Sequence, residues 1–227
     1  MKTNVPLAFA IKRNDLMDKK QIGLLETKHL AFAAHCAPTN DVRYYLNAVL
    51  VEPKGLVATD GHRMAAVNCD TGVSPGEDII IPIDVVKTVL KMTLKKQVRV
   101  PLYADQLGDV QFTPIDGTYP DWRGVVPNRP DVRDMMTPSE YNPKYLFEAY
   151  KATDKLNGRN ALSRNALRGA GGYFIFLHQN GTCSGIVQSI ESPEAFVLIM
   201  PRSQSGAPDR PELSWVRHLP TPEGEAS

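Results

Sequence analysis

The chain has 227 residues, 42% of them hydrophobic and 22% charged, with a formal net charge of +1, enough for one large domain or two small ones around a sizeable core. A charge balance so close to zero names neither nucleic acid nor an acidic surface as a partner, so any DNA binding has to come from how the charges are distributed. Cys36, Cys69 and Cys183 stand far apart with no CxxC pair, which argues against a disulfide framework or a zinc site and fits a reducing cytoplasm, and no run of about 18 apolar residues is present to span a membrane.

The N-terminal MKTNVPLAFAIKRND carries an apolar run too short for a secretion signal, with Val5 to Ile11 a candidate edge strand. Residues 26–36 (ETKHLAFAAHC) read as a helix with Leu30, Ala33, Ala34 and Ala37 near one face, stopped by Pro38. Residues 41–52 (DVRYYLNAVLVE) are rich in β-branched and aromatic types and read as a strand. LVATD and HRMAAVNC read as two short strands around Asp60-Gly61, a hairpin signal. IIIP leads through Pro82 into a helix from about Asp84, where a proline and an acidic residue both suit a first turn.

QVRVPLYAD, DVQFTPID and WRGVVP read as strands, with a turn at Asp116-Gly117. A Pro- and Asp-rich linker follows at about 127–139. NPKYLFEAYKATDK reads as a helix with Pro143 near its start. An Arg-bearing segment at 156–170 comes next, then strands in YFIFLHQNG, CSGIVQSI and AFVLIMP. From about Ser203 the composition predicts a disordered tail.

The pattern is one unit repeated three times, a helix followed by a group of short strands, at about 21–69, 79–127 and 141–201. A repeat of this kind has one apolar sheet face that has to be packed on helices. It predicts an α+β fold with three helices on one side of antiparallel sheets.

Thr59-Asp60-Gly61-His62-Arg63-Met64-Ala65 gathers an acid, an imidazole and a guanidinium. A lone His with one Asp lacks a third ligand and has no HExxH-type spacing, so a hairpin, with Thr59 and His62 bonded across the Asp-Gly turn, competes with a catalytic site and with the rim of a peptide pocket. Asp116 and Asp121 flank an aromatic turn, and they could do acid–base work only if buried together.

Lys87, Lys91 and Lys95 recur at i, i+4, i+8, opposite Val85, Val86, Val89 and Leu90. Such a stripe is a solvated face or a surface aimed at phosphates, which binds without reading bases. Lys144, Lys151 and Lys155 on the third helix, and Arg159, Arg164 and Arg168 after it, extend the basic set.

Asp41-Val42-Arg43-Tyr44-Tyr45-Leu46-Asn47, Ala58 to Ala65, Asp116 to Arg123 and Val126-Pro127 resemble, in order and spacing, the middle domain of the bacterial DNA polymerase III beta subunit, the beta sliding clamp. Ala195 to Pro201 resembles that family's C-terminal strand, and the helix around Asn142 and Tyr145 its final helix. The resemblance covers about 21–201 and is most specific over 41–127. The family has three domains of two units each. This chain has one middle-type domain and the second half of a last-type domain, placed at 21–130 and 131–202, with an extension at 1–20 and a tail at 203–227.

The resemblance implies a non-enzymatic DNA polymerase processivity factor with no cofactor and no metal. Its helices would face duplex DNA without reading sequence, and polymerase, clamp-loader and repair-protein peptides would dock in an apolar pocket. The residues matching that pocket are Leu46, Thr59, Gly61, His62, Arg63, Met64, Pro120, Val125, Asn142, Tyr145, Met200 and Pro201. Gly124 stands at a pocket position that is basic in many relatives. The residues matching DNA contacts are Asn40, Tyr44 and Tyr45, joined by Lys87, Lys91, Lys95, Arg159, Arg164 and Arg168 from the charge pattern. Three units per chain imply self-association to complete a ring. The alternatives are a clamp mimic that captures such peptides without encircling DNA, and a small hydrolase using Asp60, His62 and Asp116.

Overall fold

The structure, a computed structural model, describes residues 19–93, 98–126, 141–158, 174–177 and 184–201, the span 174–177 by its backbone. Each of the first two units opens with a strand before its helix: β1 (Gly23–Glu26) runs into α1 (Thr27–Ala33), and β5 (Ile79–Pro82) into α2 (Ile83–Met92). After α1 come β2 (Ala48–Glu52), β3 (Gly55–Thr59) and β4 (Arg63–Asn68), and after α2 come β6 (Arg99–Tyr103), β7 (Gln106–Leu107) and β8 (Val110–Gln111). The third unit holds α3 (Pro143–Leu156), β9 (Phe174–Leu177), β10 (Gly185–Ser189) and β11 (Ser192–Ile199).

The strands form two antiparallel sheets, in the orders β1-β6-β7-β8 and β5-β2-β3-β4-β11-β10-β9. β1 pairs with β6 and β5 with β2, so each leading strand is donated to the other unit. The third unit joins the large sheet where β11 pairs with β4, from Ala195 opposite Val67 to Ile199 opposite Arg63. Met64, Ala65, Ala66 and Val67 on one side of that junction and Ala195, Val197, Leu198 and Ile199 on the other are all buried. At about 1.5–3 kcal/mol for each large apolar side chain withdrawn from water, the junction is core.

Period-two alternation sorts the large sheet into two faces. Val49, Val51, Leu56, Ala58, Ala65, Val67, Val197 and Ile199 share a core with the small sheet and with the apolar sides of all three helices. Ala48, Leu50, Val57, Met64, Ala66, Ile80 and Leu198 face the other way, under Ile115, Tyr119, Trp122 and Val126. The chain after β8 is held there by hydrogen bonds from Ile115 N to Ile80 O (3.0 Å) and from Thr59 N to the Tyr119 hydroxyl oxygen (3.2 Å). Burial raises the Tyr119 phenol pKa well above its ordinary value, the Thr59 N–H opposing it, so this hydroxyl stays neutral.

Three local readings are corrected. Residues 41–52 are one strand only from Ala48, because Tyr44–Leu46 forms a 3-10 turn that Asn47 braces with side-chain bonds to the Asp41 backbone (2.8 and 2.9 Å). WRGVVP is a 3-10 turn at Arg123–Val125, with Asp121 Oδ1 accepting from Arg123 N (3.2 Å), a local cap that competes with extended backbone. The first helix ends at Ala33, and His35, Cys36 and Ala37 continue it as i→i−3 turns, so it stops before Pro38 acts. α3 begins as its sequence predicts: Asn142 caps Lys144 N (3.0 Å) and Pro143 occupies the first turn, where a missing N–H costs nothing.

Candidate peptide cleft and helix face

The Asp60-Gly61 hairpin between β3 and β4 organises the site. Gly61 has φ +86°, a backbone conformation that favours glycine, and it lies beneath the Arg43 guanidinium, 2.9 Å from where a Cβ would sit. Thr59 Oγ1 donates to Arg63 O (2.8 Å) and accepts from Gly61 N (3.0 Å). The crossing bond therefore reaches Arg63, where the sequence had suggested His62. Asp60 Oδ1 accepts from His62 N and Arg63 N (2.9 Å each), and its Oδ2 accepts from Arg63 Nε (3.0 Å).

Both oxygens of Asp60 are thus occupied by its own turn and by Arg63. Asp116 is exposed, and its carbonyl accepts the Tyr44 hydroxyl (3.1 Å). Among the described residues, no group of three His, Cys, Asp or Glu side chains is placed to hold a metal. The geometry of this hairpin is that of a structural turn.

Arg63 continues the network into the third unit. Its guanidinium bonds Glu148 of α3 and lies over the Tyr145 ring, 4.8 Å from the centroid. Across the hairpin, Arg43 donates to both Asp41 oxygens (2.9 and 2.7 Å) and to Asp60 O (3.0 Å). The Arg43 hydrogen bond holds the Asp41 carboxyl down to about 2. These pairs fix two guanidinium groups, each beside a carboxylate, around a concave surface.

That surface is a cleft of about 190 Å³. Met64, Leu198 and Leu46, all buried, lie beneath it, Pro120, Trp122 and Val125 form one side, and Thr59, Gly61, Arg43, Arg63, Asp121 and Met200 complete it. Val125 is 46% and Met200 37% exposed, so the cleft leaves apolar surface in water at its mouth. An apolar floor with a few oriented polar groups is the chemistry of a ligand-binding site.

Of the residues matched to a pocket from sequence, Leu46, Thr59, Gly61, Arg63, Met64, Pro120, Val125 and Met200 line this cleft. The structure places His62, Asn142, Tyr145 and Pro201 outside its lining. His62 is exposed at the hairpin tip, and its carbonyl accepts Met200 N (2.8 Å). Asn142 caps α3, Tyr145 sits against Arg63, and Pro201 follows Met200 half-buried. Sequence reasoning missed Arg43, Asp121, Trp122 and Leu198. Leu198 was signalled by alternation with Met200 along one strand face, and Trp122 by the aromatic turn already singled out. Gly124 is exposed beside Asp121, whose Oδ2 would lie 3.5 Å from a Cβ built there.

The helices carry exposed lysines: Lys87 and Lys91 on α2, and Lys144, Lys151 and Lys155 on α3. No ion pair among the described residues involves them. Asn40 is exposed, Tyr44 is 58% exposed, and Tyr45 packs edge-to-face on Tyr44 with ring centroids 5.6 Å apart. Lys95, Arg159, Arg164 and Arg168 lie outside the described residues, as do the apolar run at Val5 to Ile11 and the tail. No helix among the described residues is long and apolar enough to cross a membrane.

No family model matches the chain. Among curated proteins it is 38% identical over 104 residues to the beta sliding clamp of Escherichia coli, covering 40% of this chain and 28% of that one. It is 30% identical over 160 residues to the beta sliding clamp of Vibrio cholerae, covering 64% and 42%. The chain thus spans less than half the length of these relatives. A DNA polymerase sliding clamp from Pseudomonas aeruginosa superposes with a TM-score of 0.59 at 16% identity, over 85% of this chain and 70% of that one. The clamp of Bacillus subtilis does so with 0.58 at 15%, over 82% and 65%. The chain is similar in sequence to beta sliding clamps over part of their length and has the fold of these sliding-clamp structures.

Proposed function

We propose that this protein is a clamp-like processivity factor, a binding protein that tethers a DNA polymerase or repair protein to duplex DNA, with no chemistry of its own. The observation that carries the reading is the cleft at the β4–β11 junction. It combines an apolar floor of Met64 and Leu198, an exposed lip of Val125 and Met200, and guanidinium groups held by carboxylates. A peptide that buries two or three apolar side chains there gains roughly 1.5–3 kcal/mol for each, less its ordering cost, which amounts to micromolar affinity. Polymerase and clamp-loader peptides are the partners at this site, and His62 and Tyr145 flank it through the hairpin and α3. The lysines of α2 and α3, with Asn40, Tyr44 and Tyr45, meet DNA phosphates without reading sequence. The working compartment is the reducing cytoplasm, and self-association is part of function.

The test is titration of a fluorescently labelled clamp-binding peptide against the wild type and Met200→Ala, with a parallel titration of a duplex. Micromolar peptide binding that weakens several-fold in Met200→Ala, together with weak duplex binding, supports the reading. No peptide binding, or equal affinity for both proteins, overturns the site. Peptide binding with no duplex binding at low salt overturns the tethering role and leaves a peptide-capturing mimic.

A further inference from the structure

The peptide cleft has a neighbour on the same face of the large sheet. Thr59, Met64 and Leu198 are cross-strand partners on β3, β4 and β11, and all three border the cleft. Val57, Ala66 and Phe196 form the next row on those strands, two residues along, and with Trp122 they line a second hollow of about 240 Å³. Alternation puts both rows on one face, about 7 Å apart. Trp122 is common to the two linings and stands as the wall between them. Its Nε1 is buried without a hydrogen-bond partner, so the ring is held there by packing and by the Arg123 guanidinium, 4.2 Å from a ring centroid.

The charges around the two hollows are unevenly matched. Every Lys or Arg in either lining has a carboxylate partner: Arg43 has Asp41, Arg63 has Asp60 and Glu148, Arg123 has Glu52, and Lys54 has Asp70. Two lining carboxylates have no ion pair among the described residues, Asp121 at the cleft and Glu194 at the second hollow. Asp121 is exposed and accepts the backbone N–H of Arg123 (3.2 Å). Glu194 is half-buried and acts on the His29 imidazole, which burial keeps neutral. The cations are matched within the chain and two anions are left over, so the charge that complements this face is positive.

We propose that the hollow beyond Trp122 is a second subsite of the peptide cleft. Its ligand is an extended peptide with apolar side chains two positions apart, one in each hollow, and a Lys or Arg after the second that meets Glu194. The inference rests on the peptide reading of the cleft and adds the class of peptide. An extended chain repeats its side-chain direction every two residues, which is the separation of the two rows, so a peptide lying along the strands and over Trp122 reaches both. The second hollow takes an apolar group because its floor is apolar: Val57 and Ala66 are buried and Phe196 is half-buried. The cation at Glu194 adds a salt-sensitive preference, and the apolar side chain supplies most of the gain.

Fluorescence anisotropy with the full chain tests this. The parent probe is a labelled clamp-binding peptide trimmed to end on its apolar anchors. Further probes add Ser, Leu and Lys, in that order outward, at one end or the other, or Ser, Leu and Glu in the same places. One of the Lys probes is expected to bind the wild type about ten-fold more tightly than the parent. The matching Glu probe should bind about two- to five-fold more weakly than that Lys probe at low salt. Glu194→Gln removes this difference and Glu194→Lys reverses it, while the parent, which ends before Glu194, binds all three proteins alike. No gain from either extension, or a preference for Lys that survives in Glu194→Gln, overturns the proposal. If the parent binds and neither extension helps, the second subsite fails and the cleft stands; if no probe binds, both fail.

Discussion

Met64 on β4 and Leu198 on β11 are cross-strand partners, both are buried, and both line the cleft. The same pair therefore joins the third unit to the first and forms the floor on which a peptide would lie. Stability and recognition are coupled at this pair and separable at the exposed lip.

Met64→Ala is expected to destabilise the fold by about 2–5 kcal/mol, the cost of a cavity at a closed core position. Met200→Ala, partly exposed, should stay within about 0.5 kcal/mol of the wild type while weakening peptide binding. Urea unfolding monitored by tryptophan fluorescence checks both. Equal destabilisation by the two would mean that the lip is part of the core.

Arg63→Ala is expected to cost about 1–3 kcal/mol, because it strands the partly buried Asp60 and Glu148 carboxylates and removes the guanidinium from the Tyr145 ring. Glu148→Gln should cost less, since Arg63 keeps Asp60. A double-mutant cycle on Arg63 and Glu148 should show a coupling of at least about 0.5 kcal/mol. A coupling of zero would mean that the Arg63–Glu148 pair does not help to hold α3 on the sheet.

Burial lowers the imidazole pKa of both His29 and His35. Lys28 adds to the effect at His29 and Arg63 at His35, while Glu26 and Glu194 oppose it at the first and Glu148 at the second. A lowered folded-state pKa means that the unfolded chain takes up the proton first as pH falls. The stability from keeping these rings neutral is complete above the unfolded value of 6.5 and declines as pH drops below it toward the depressed folded values. The expected slope is at most about 1.4 kcal/mol per pH unit for each ring. Urea midpoints at pH 7.5 and 5.5 check it, and the slope should flatten in a His29→Gln, His35→Gln variant.

Duplex binding should be weak, indifferent to sequence and steeply weakened by salt. Replacing Lys87, Lys91, Lys151 and Lys155 with Glu should reduce both the affinity and the slope of log K against log salt, at roughly one unit of slope for each phosphate that is no longer neutralised. Fluorescence anisotropy with two unrelated duplexes at low and physiological salt is the measurement. A slope unchanged by the four substitutions would place the DNA-binding surface away from the helix face.

The sequence by itself determined what is local or periodic. The three helices, the Asp60-Gly61 hairpin, the Asn142-Pro143 helix start and the alternation along β4 and β11 are written in neighbouring residues, because caps, turns and side-chain periods act over a few positions. The wording of 41–47, 58–65 and 116–127 carried the family resemblance and most of the cleft lining, Leu46, Met64 and Pro120 among it. Tertiary structure alone decided which strand lies beside which. Alternation says that Met64 and Leu198 each face one side of a sheet, but their pairing is a long-range relationship that no local signal encodes. The same holds for β1 with β6 and β5 with β2, where a short strand has unpaired groups on both edges and takes whichever partner the packed helices bring within reach. It holds also for Arg43 and Trp122, which reached the cleft because a 3-10 turn formed where β-branched and aromatic composition had predicted a strand, local hydrogen bonds to Asp41, Asn47 and Asp121 outweighing propensity.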